Sequence, residues 1–339
     1  MRQNNIFLML LKVFFFSSIL VATSAVRAEL KVVTTIKPLH SLIANVMDGV
    51  GEPALIIEGS TSPHSFTLKP SHAKLLEEAD IIFWVGESIE TFMERPLESI
   101  VKNAEVIEFM EVESINKLKF REESIFEDHD DHDDHDDHDD HDDHDDHDDH
   151  DDHDDHDDHD DHSGHDDHGH AHGEFDAHIW LDPMNAKEMV HEIAHELSDL
   201  DPANKDKYEA NAQATIQALD QLVKDIEKEI NKDAKFVVFH DAYQYFEERF
   251  ETRAAGALTL NTDVLPGAKQ IADIQDVIKD RGIKCIFSEP QFNPKIITTI
   301  AEDMNIKTGV FDPLGANIDS NKDLYFKLIQ NLGNELKGC

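Results

Sequence analysis

Apolar residues along this chain alternate between two spacings. Leu30-Lys31-Val32-Val33-Thr34-Thr35 is a short β-branched run that reads as a strand; Leu39, Leu42, Ile43 and Val46 then recur along one helix face as far as Gly49. Ala54 to Ile57 predicts a second strand, Ser71 to Ala79 a helix capped by Ser71, and Ile81 to Val85 a third strand. A helix around Ile89 to Val101 and a strand at Glu105 to Phe109 complete this series. Strands separated by helical stretches predict parallel pairing, because parallel neighbours need a crossover long enough to hold a helix.

That pattern breaks at about residue 127. The triplet Asp-Asp-His repeats from Asp130 to His162 with no apolar residue to bury, so nothing offsets the entropy of ordering it. A disordered Asp/His-rich insertion over about 127–173 is expected. Folded character returns at His178-Ile179-Trp180-Leu181-Asp182-Pro183, and Ala186 to Leu200 predicts an amphipathic helix. Pro202 to Ile230 then carries a helical stripe (Tyr208, Ala212, Ile216, Leu219, Leu222, Val223, Ile226) without an interior Gly or Pro. At about 1.5 Å per residue it is a rod of roughly 43 Å, long enough to bridge two domains.

A second alternating series follows: strand Phe236–Phe239, helix Ala242–Phe250, Ala255–Leu260, helix Lys269–Asp280, strand Lys284–Phe287, a further helix, and strand Thr308–Phe311. The expected fold class is α/β: two lobes, each a mainly parallel sheet flanked by helices, joined by one long rigid helix. The lobes divide as 29–200, carrying the insertion, and 232–339, with the linking helix at 201–231. A length of 339 residues suits two domains.

Charge narrows the partners. The formal net charge is −43, and the 25 aspartates between residues 128 and 167 supply more than half of it. Such a chain repels nucleic acid and anionic membrane surfaces, so cations, metal ions above all, are the natural partners. The first 28 residues have the make-up of an export signal: Arg2 and Lys12 are basic, Val13 to Val21 is apolar, and Val26-Arg27-Ala28 resembles a small-residue cleavage site. The apolar run is shorter than the roughly 20 residues a membrane span requires, and no cysteine near Ala28 offers a lipid anchor. A periplasmic protein cleaved near Ala28, monomeric and not membrane-spanning, is expected.

Two cysteines, Cys285 and Cys339, are present. In an oxidising compartment such a pair reads as a disulfide, worth roughly 4 kcal/mol for a loop of this length; two unpaired buried thiols are the alternative.

Seven of the 23 histidines lie outside the insertion: His40, His64, His72, His178, His191, His195 and His240. His240 falls at the carboxyl end of a predicted strand, as does Asp312, with Glu289 just beyond another. His64 lies in the loop after the second strand and His178 directly after the insertion. Ligands of open α/β sheets bind at the carboxyl edges of the strands. Singly, each of these residues is as well explained by solvent exposure or helix capping; together they offer imidazoles and a carboxylate from both lobes, a set suited to tetrahedral zinc. His191-Glu192-Ile193-Ala194-His195 fits the H-E-x-x-H pattern of zinc proteases, but the helix stripe at Ala186, Met189, Val190, Ile193, Ala194 and Leu197 puts both histidines on the solvent face.

Thr61-Ser62-Pro63-His64, His178-Ile179-Trp180-Leu181-Asp182-Pro183, Phe239-His240-Asp241-Ala242-Tyr243, Ser288-Glu289-Pro290-Gln291-Phe292 and Asp312-Pro313-Leu314-Gly315 together resemble the ZnuA-like zinc solute-binding proteins. These are the periplasmic components of zinc ABC importers. The resemblance runs over nearly all of the chain after residue 28 and implies no enzymatic activity. It implies Zn2+ as the transported ligand, held between lobes by His64, His178 and His240 with Asp312 or water beside it, and an inner-membrane ABC permease as partner. It also implies the Cys285–Cys339 pair. Pro63 stands where some members carry Glu, which leaves the fourth metal position to Asp312 or solvent. The 12 histidines of the repeat (His129, His132, His135, His138, His141, His144, His147, His150, His153, His156, His159 and His162) are auxiliary weak sites expected to collect or sense further zinc, because flexible chelators must be ordered on binding. The competing reading is a metal-storage protein in which this tract is the main site.

Overall fold

A computed structural model describes residues 29–126, 174–260, 262 and 266–339. The export-signal expectation, and the twelve tract histidines with the rest of 127–173, lie outside the described residues.

The first series comprises β1 (Val32–Thr34), α1 (Lys37–Val46), β2 (Ala54–Leu55), α2 (Pro70–Glu78), β3 (Ile81–Trp84), α3 (Glu94–Ser99) and β4 (Glu105–Glu108). Beyond the acidic tract come α4 (Pro183–Leu200) and α5 (Lys205–Glu229). The second series is β5 (Phe236–His240), α6 (Gln244–Phe250), β6 (Ala257–Thr259), α7 (Ala268–Asp280), β7 (Cys285–Ser288), α8 (Lys295–Met304), β8 (Lys307–Val310) and α9 (Leu324–Lys337). Each series forms one four-stranded sheet, ordered β2-β1-β3-β4 and β6-β5-β7-β8, with every pair parallel. The registers include Val33↔Ile82 and Phe236↔Cys285. In each sheet the chain runs to one side after its first strand and returns to the other. The order therefore reverses beside β1 and beside β5, where such sheets open a crevice at their carboxyl edge.

Local chemistry explains the elements and the departures from the expected ones. α2 begins at Pro70, one residue before the expected cap Ser71, because proline at the first helical position has the right φ and no amide proton to leave unpaired. The helix expected across Ile89–Val101 is broken into a 3-10 turn, Thr91–Met93, and the short α3. α9 was not anticipated, although Leu324, Leu328, Ile329, Leu332 and Leu336 carry the helical spacing and are all buried.

α5 is 25 residues long, about 37 Å, and packs against α1 and α9 as well as α4, so it touches both lobes. α1 also meets α9 directly. Leu39, Leu42, Ile43 and Val46 of α1 have no exposed surface, and removing each from water stabilises by about 1.5–3 kcal/mol. They belong to one apolar cluster that continues through α4 and α5 to α9 and the β5–β7 face. A second cluster lies on the other face of the second sheet.

Polar ties reinforce this joint. Lys37 on α1 is buried and its Nζ donates to the carbonyls of Gly315 (2.6 Å), Ala316 (3.1 Å) and Ile318 (2.6 Å). Ser41 Oγ donates to Lys322 O at 2.9 Å. Cys285 at the start of β7 is bridged to Cys339, Cα to Cα 5.7 Å, which fastens the end of α9 to the second sheet. No helix of the described residues is long and apolar enough to cross a membrane.

Candidate metal centre

Three imidazoles converge from three different backbone settings. His64 is the middle residue of a 3-10 turn, Pro63–Ser65, which follows β2 on the carboxyl edge of the first sheet. His178 leads into a second such turn, Ile179–Leu181, ahead of α4. That turn is held on both sides: Trp180 Nε1 donates to Pro313 O at 2.8 Å, and Tyr325 Oη donates to Trp180 O at 2.7 Å. Asp182 then caps α4 by accepting from Met184 N at 2.8 Å and binds Arg249 through both carboxylate oxygens. His240 is the last residue of β5, beside the reversal of strand order.

Ring centroids lie 5.6 Å apart for His64–His178, 5.7 Å for His64–His240 and 5.0 Å for His178–His240. One ring nitrogen from each lies within 4.8 Å of the other two, and among the described residues no other group of three His, Cys, Asp or Glu does this. A tetrahedral zinc with nitrogens at about 2.0–2.1 Å separates them by about 3.4 Å, so small side-chain rotations close the set.

Carboxylates behind two of the rings decide which nitrogen faces the cleft. Asp176 Oδ1 lies 2.7 Å from His178 Nδ1 and also accepts the backbone N–H of His178 at 2.9 Å. Glu289, just past β7, faces His240 Nδ1 with both oxygens at 3.1 and 3.2 Å. Both carboxylates are almost wholly buried. An acceptor at Nδ1 draws the ring proton there and leaves Nε2 with its lone pair toward the cleft, the state a metal requires. Burial opposes a charged ring at His240, but the Glu289 carboxylate, with Asp241 and Asp176 farther off, outweighs it and holds the pKa above the ordinary histidine value.

The three histidines open into a cleft of about 1160 Å³. Glu87, Glu94, Glu108, Glu111, Glu122 and Glu174 line it, against Lys117, Lys119 and Arg121. Burial first, then the neighbouring Glu111 and Glu87, push the Glu108 carboxyl up to about 7. A concave wall with this excess of carboxylates concentrates cations near its floor.

Asp312 is not one of the residues in that group of three. Its oxygens accept from Gln291 Nε2 (3.0 Å), Leu314 N (3.2 Å) and Ala316 N (2.6 Å), so it braces the turn that follows β8. His40 Nε2 faces Pro53 O at 3.2 Å, and His72 Nδ1 accepts from Lys69 N at 3.3 Å, where it helps cap α2. His191 and His195 are exposed on α4, opposite its buried stripe of Met189, Val190, Ile193 and Leu197. Asp176, the carboxylate partner of His178, stands only two residues away but gives no signal of that role in the sequence; Glu289 is legible there as a strand-end acid within a motif, not as the partner of His240.

A family model described as zinc-uptake complex component A, periplasmic (ZnuA), matches residues 32–339. The high-affinity zinc uptake system protein ZnuA of Brucella abortus (strain 2308) is 50% identical over 310 residues, 91% of each chain. Its namesake from Yersinia pestis is 32% identical over 325 residues, 95% of each chain. Among solved structures, one titled as the crystal structure of ZnuA superposes with a TM-score of 0.67 at 21% identity, covering 90% of this chain and 98% of that one. The periplasmic zinc-binding protein TroA from Treponema pallidum superposes with a TM-score of 0.69 at 18% identity, covering 91% and 98%. These structural likenesses bear on the fold.

Proposed function

This chain belongs to the ZnuA family of periplasmic zinc-uptake components, and from that premise we propose a residue-level account of how it captures and releases its cargo. The protein binds Zn2+ for an ABC importer, as a solute-binding component and not a member of an enzyme family. His64, His178 and His240 hold the ion through Nε2. Asp176 and Glu289 keep two of these rings in the metal-binding tautomer. The observation that carries the reading is the convergence of three ring nitrogens from both lobes within 4.8 Å. Three neutral nitrogens favour zinc over harder ions such as manganese. Solvent takes the fourth position, since the hydrogen bonds of Asp312 commit it to its own turn.

Capture follows from the charge layout. The acidic wall raises the local zinc concentration, and water is exchanged for imidazole at the cleft floor. Release then occurs on an inner-membrane permease, to which the folded protein docks after removal of the leader near Ala28. The Asp/His tract, joined in sequence to the cleft-lining Glu174, serves as a weak, high-capacity collector. The apolar cluster shared by both lobes and the Lys37 tie favour small lobe motions over wide closure.

Calorimetric titration of the apo protein tests this account, run beside the His64→Ala/His240→Ala double variant. One tight site per chain, lost in the variant while weaker binding remains, is expected. Tight binding that survives both substitutions would move the site elsewhere and favour storage by the tract.

A further inference from the structure

Arg121 lines the cleft together with Lys117, Lys119 and Phe120, on a stretch that crosses to the second lobe. This stretch is held by backbone pairing. Lys119 bridges to Phe175 and Ile125 to Gly256 in antiparallel fashion, Ala257 N donates to Ser124 O (2.8 Å), and Phe126 N donates to Ala255 O (3.1 Å). The guanidinium is largely buried and stands 4.0 Å above the Phe126 ring, so its plane is fixed. Its fork is spent on three residues around α6. Nη2 donates to Glu247 at 2.8 Å, Nη1 lies 3.5 Å from Asp241, and Nε donates to Gln244 Oε1 at 3.3 Å.

The contact to Gln244 matters most. With its oxygen held by Arg121, the amide nitrogen faces the other way, donating to Asp176 Oδ2 at 3.1 Å and to Lys119 O at 2.9 Å. Asp176 uses its other oxygen on His178. A continuous chain of contacts thus runs from Glu247 through Arg121, Gln244 and Asp176 to one of the three metal-facing rings.

We propose that Arg121 and Gln244 are positioning residues for zinc: they fix the carboxylate that orients His178, and neither touches the ion. The inference rests on His178 being a zinc ligand. Arginine suits the place because two donors must leave one plane in different directions while a third nitrogen faces the Asp241 charge and the face stacks on a ring, which a lysine ammonium cannot reproduce. Groups that orient a metal-binding histidine typically change affinity by about 10–100-fold when removed, and these lie one bond farther out, so about 5–10-fold is expected.

Zinc affinity of the full chain, by competition with a chromophoric chelator, provides the test for Arg121→Gln, Arg121→Lys, Gln244→Leu, Asp176→Asn and the Gln244→Leu/Asp176→Asn pair. Each single variant at 121 or 244 is expected to bind zinc about 5–10-fold more weakly, and the double variant no more weakly than Asp176→Asn alone, because the effect passes through Asp176. Cobalt-loaded Gln244→Leu, which keeps every charge, should show a shifted visible d–d spectrum; a merely structural role would leave that spectrum unmoved. Wild-type affinity in Gln244→Leu, or losses that multiply in the pair, would overturn the proposal. His178→Ala separates the two levels: retention of the tight site there would refute the assignment of the ligand itself.

Discussion

Glu90 offers a measurable consequence of how the first sheet ends. It follows β3, has no exposed surface, and turns its carboxyl back under the sheet edge. One oxygen accepts from Val85 N at 2.8 Å and Gly86 N at 3.2 Å. The other has no hydrogen-bond partner, although the Thr35 hydroxyl lies near enough to favour the charge. Burial outweighs these donors and pushes the carboxyl from 4.5 up to about 7. An acid with a raised folded pKa contributes its full stability below the unfolded value and loses it as pH rises through the folded one. Between 4.5 and 7 the native protein holds a proton that the unfolded chain releases, so stability falls with rising pH across that window.

A separation of that size corresponds to about 3 kcal/mol at pH 8 and under about 1 kcal/mol at pH 5. Glu90→Gln keeps an oxygen for the two backbone donors and offers an N–H toward Thr35, while removing the ionisation. Urea unfolding of zinc-free protein at both pH values isolates the term. The variant should gain about 3 kcal/mol over the parent at pH 8 and little at pH 5. An equal difference at the two pH values, or a variant less stable than the parent at pH 8, would refute the reasoning.

Three further outcomes are expected. Glu289→Leu removes the acceptor that His240 Nδ1 now finds, so nothing holds the ring in the metal-binding tautomer; zinc affinity should fall about 10–100-fold in a chelator competition. Reduction of Cys285–Cys339, separated by 54 residues, should cost about 4 kcal/mol and lower the calorimetric melting midpoint by about 5–10 °C. Removal of residues 127–173 should abolish weak zinc binding but leave the tight site intact, which equilibrium dialysis over a range of free zinc would reveal.

Particular residues show how far the sequence carried the fold and the site. The β-branched runs Val32-Val33-Thr34 and Phe236-Val237-Val238 announced strands because buried parallel strands are apolar on both faces. The stripe of α5 announced a long helix because no Gly or Pro interrupts it. Positions that depend on a single backbone torsion were harder: Pro70 takes the start of α2 from Ser71, and the polar-rich turn after β8 hid the onset of α9.

At the site, the three histidines were legible as strand-end and loop residues within motifs. Their ordering network was less so. Asp176 is adjacent in sequence but reads as one more acid at the end of an acidic tract, and Arg121 reaches α6 across 123 to 126 positions of chain. Asp312 shows what strand-end position alone leaves open: its carboxylate accepts from Leu314 N and Ala316 N of the following turn, a use the sequence does not distinguish from metal binding.

Zinc K-edge X-ray absorption on the protein loaded with one equivalent of metal tests the central claim most directly. The account predicts three imidazole nitrogens at about 2.0–2.1 Å with their multiple-scattering signature, and one further light atom from solvent. A shell dominated by carboxylate oxygen, or one with fewer than three imidazoles, would contradict it.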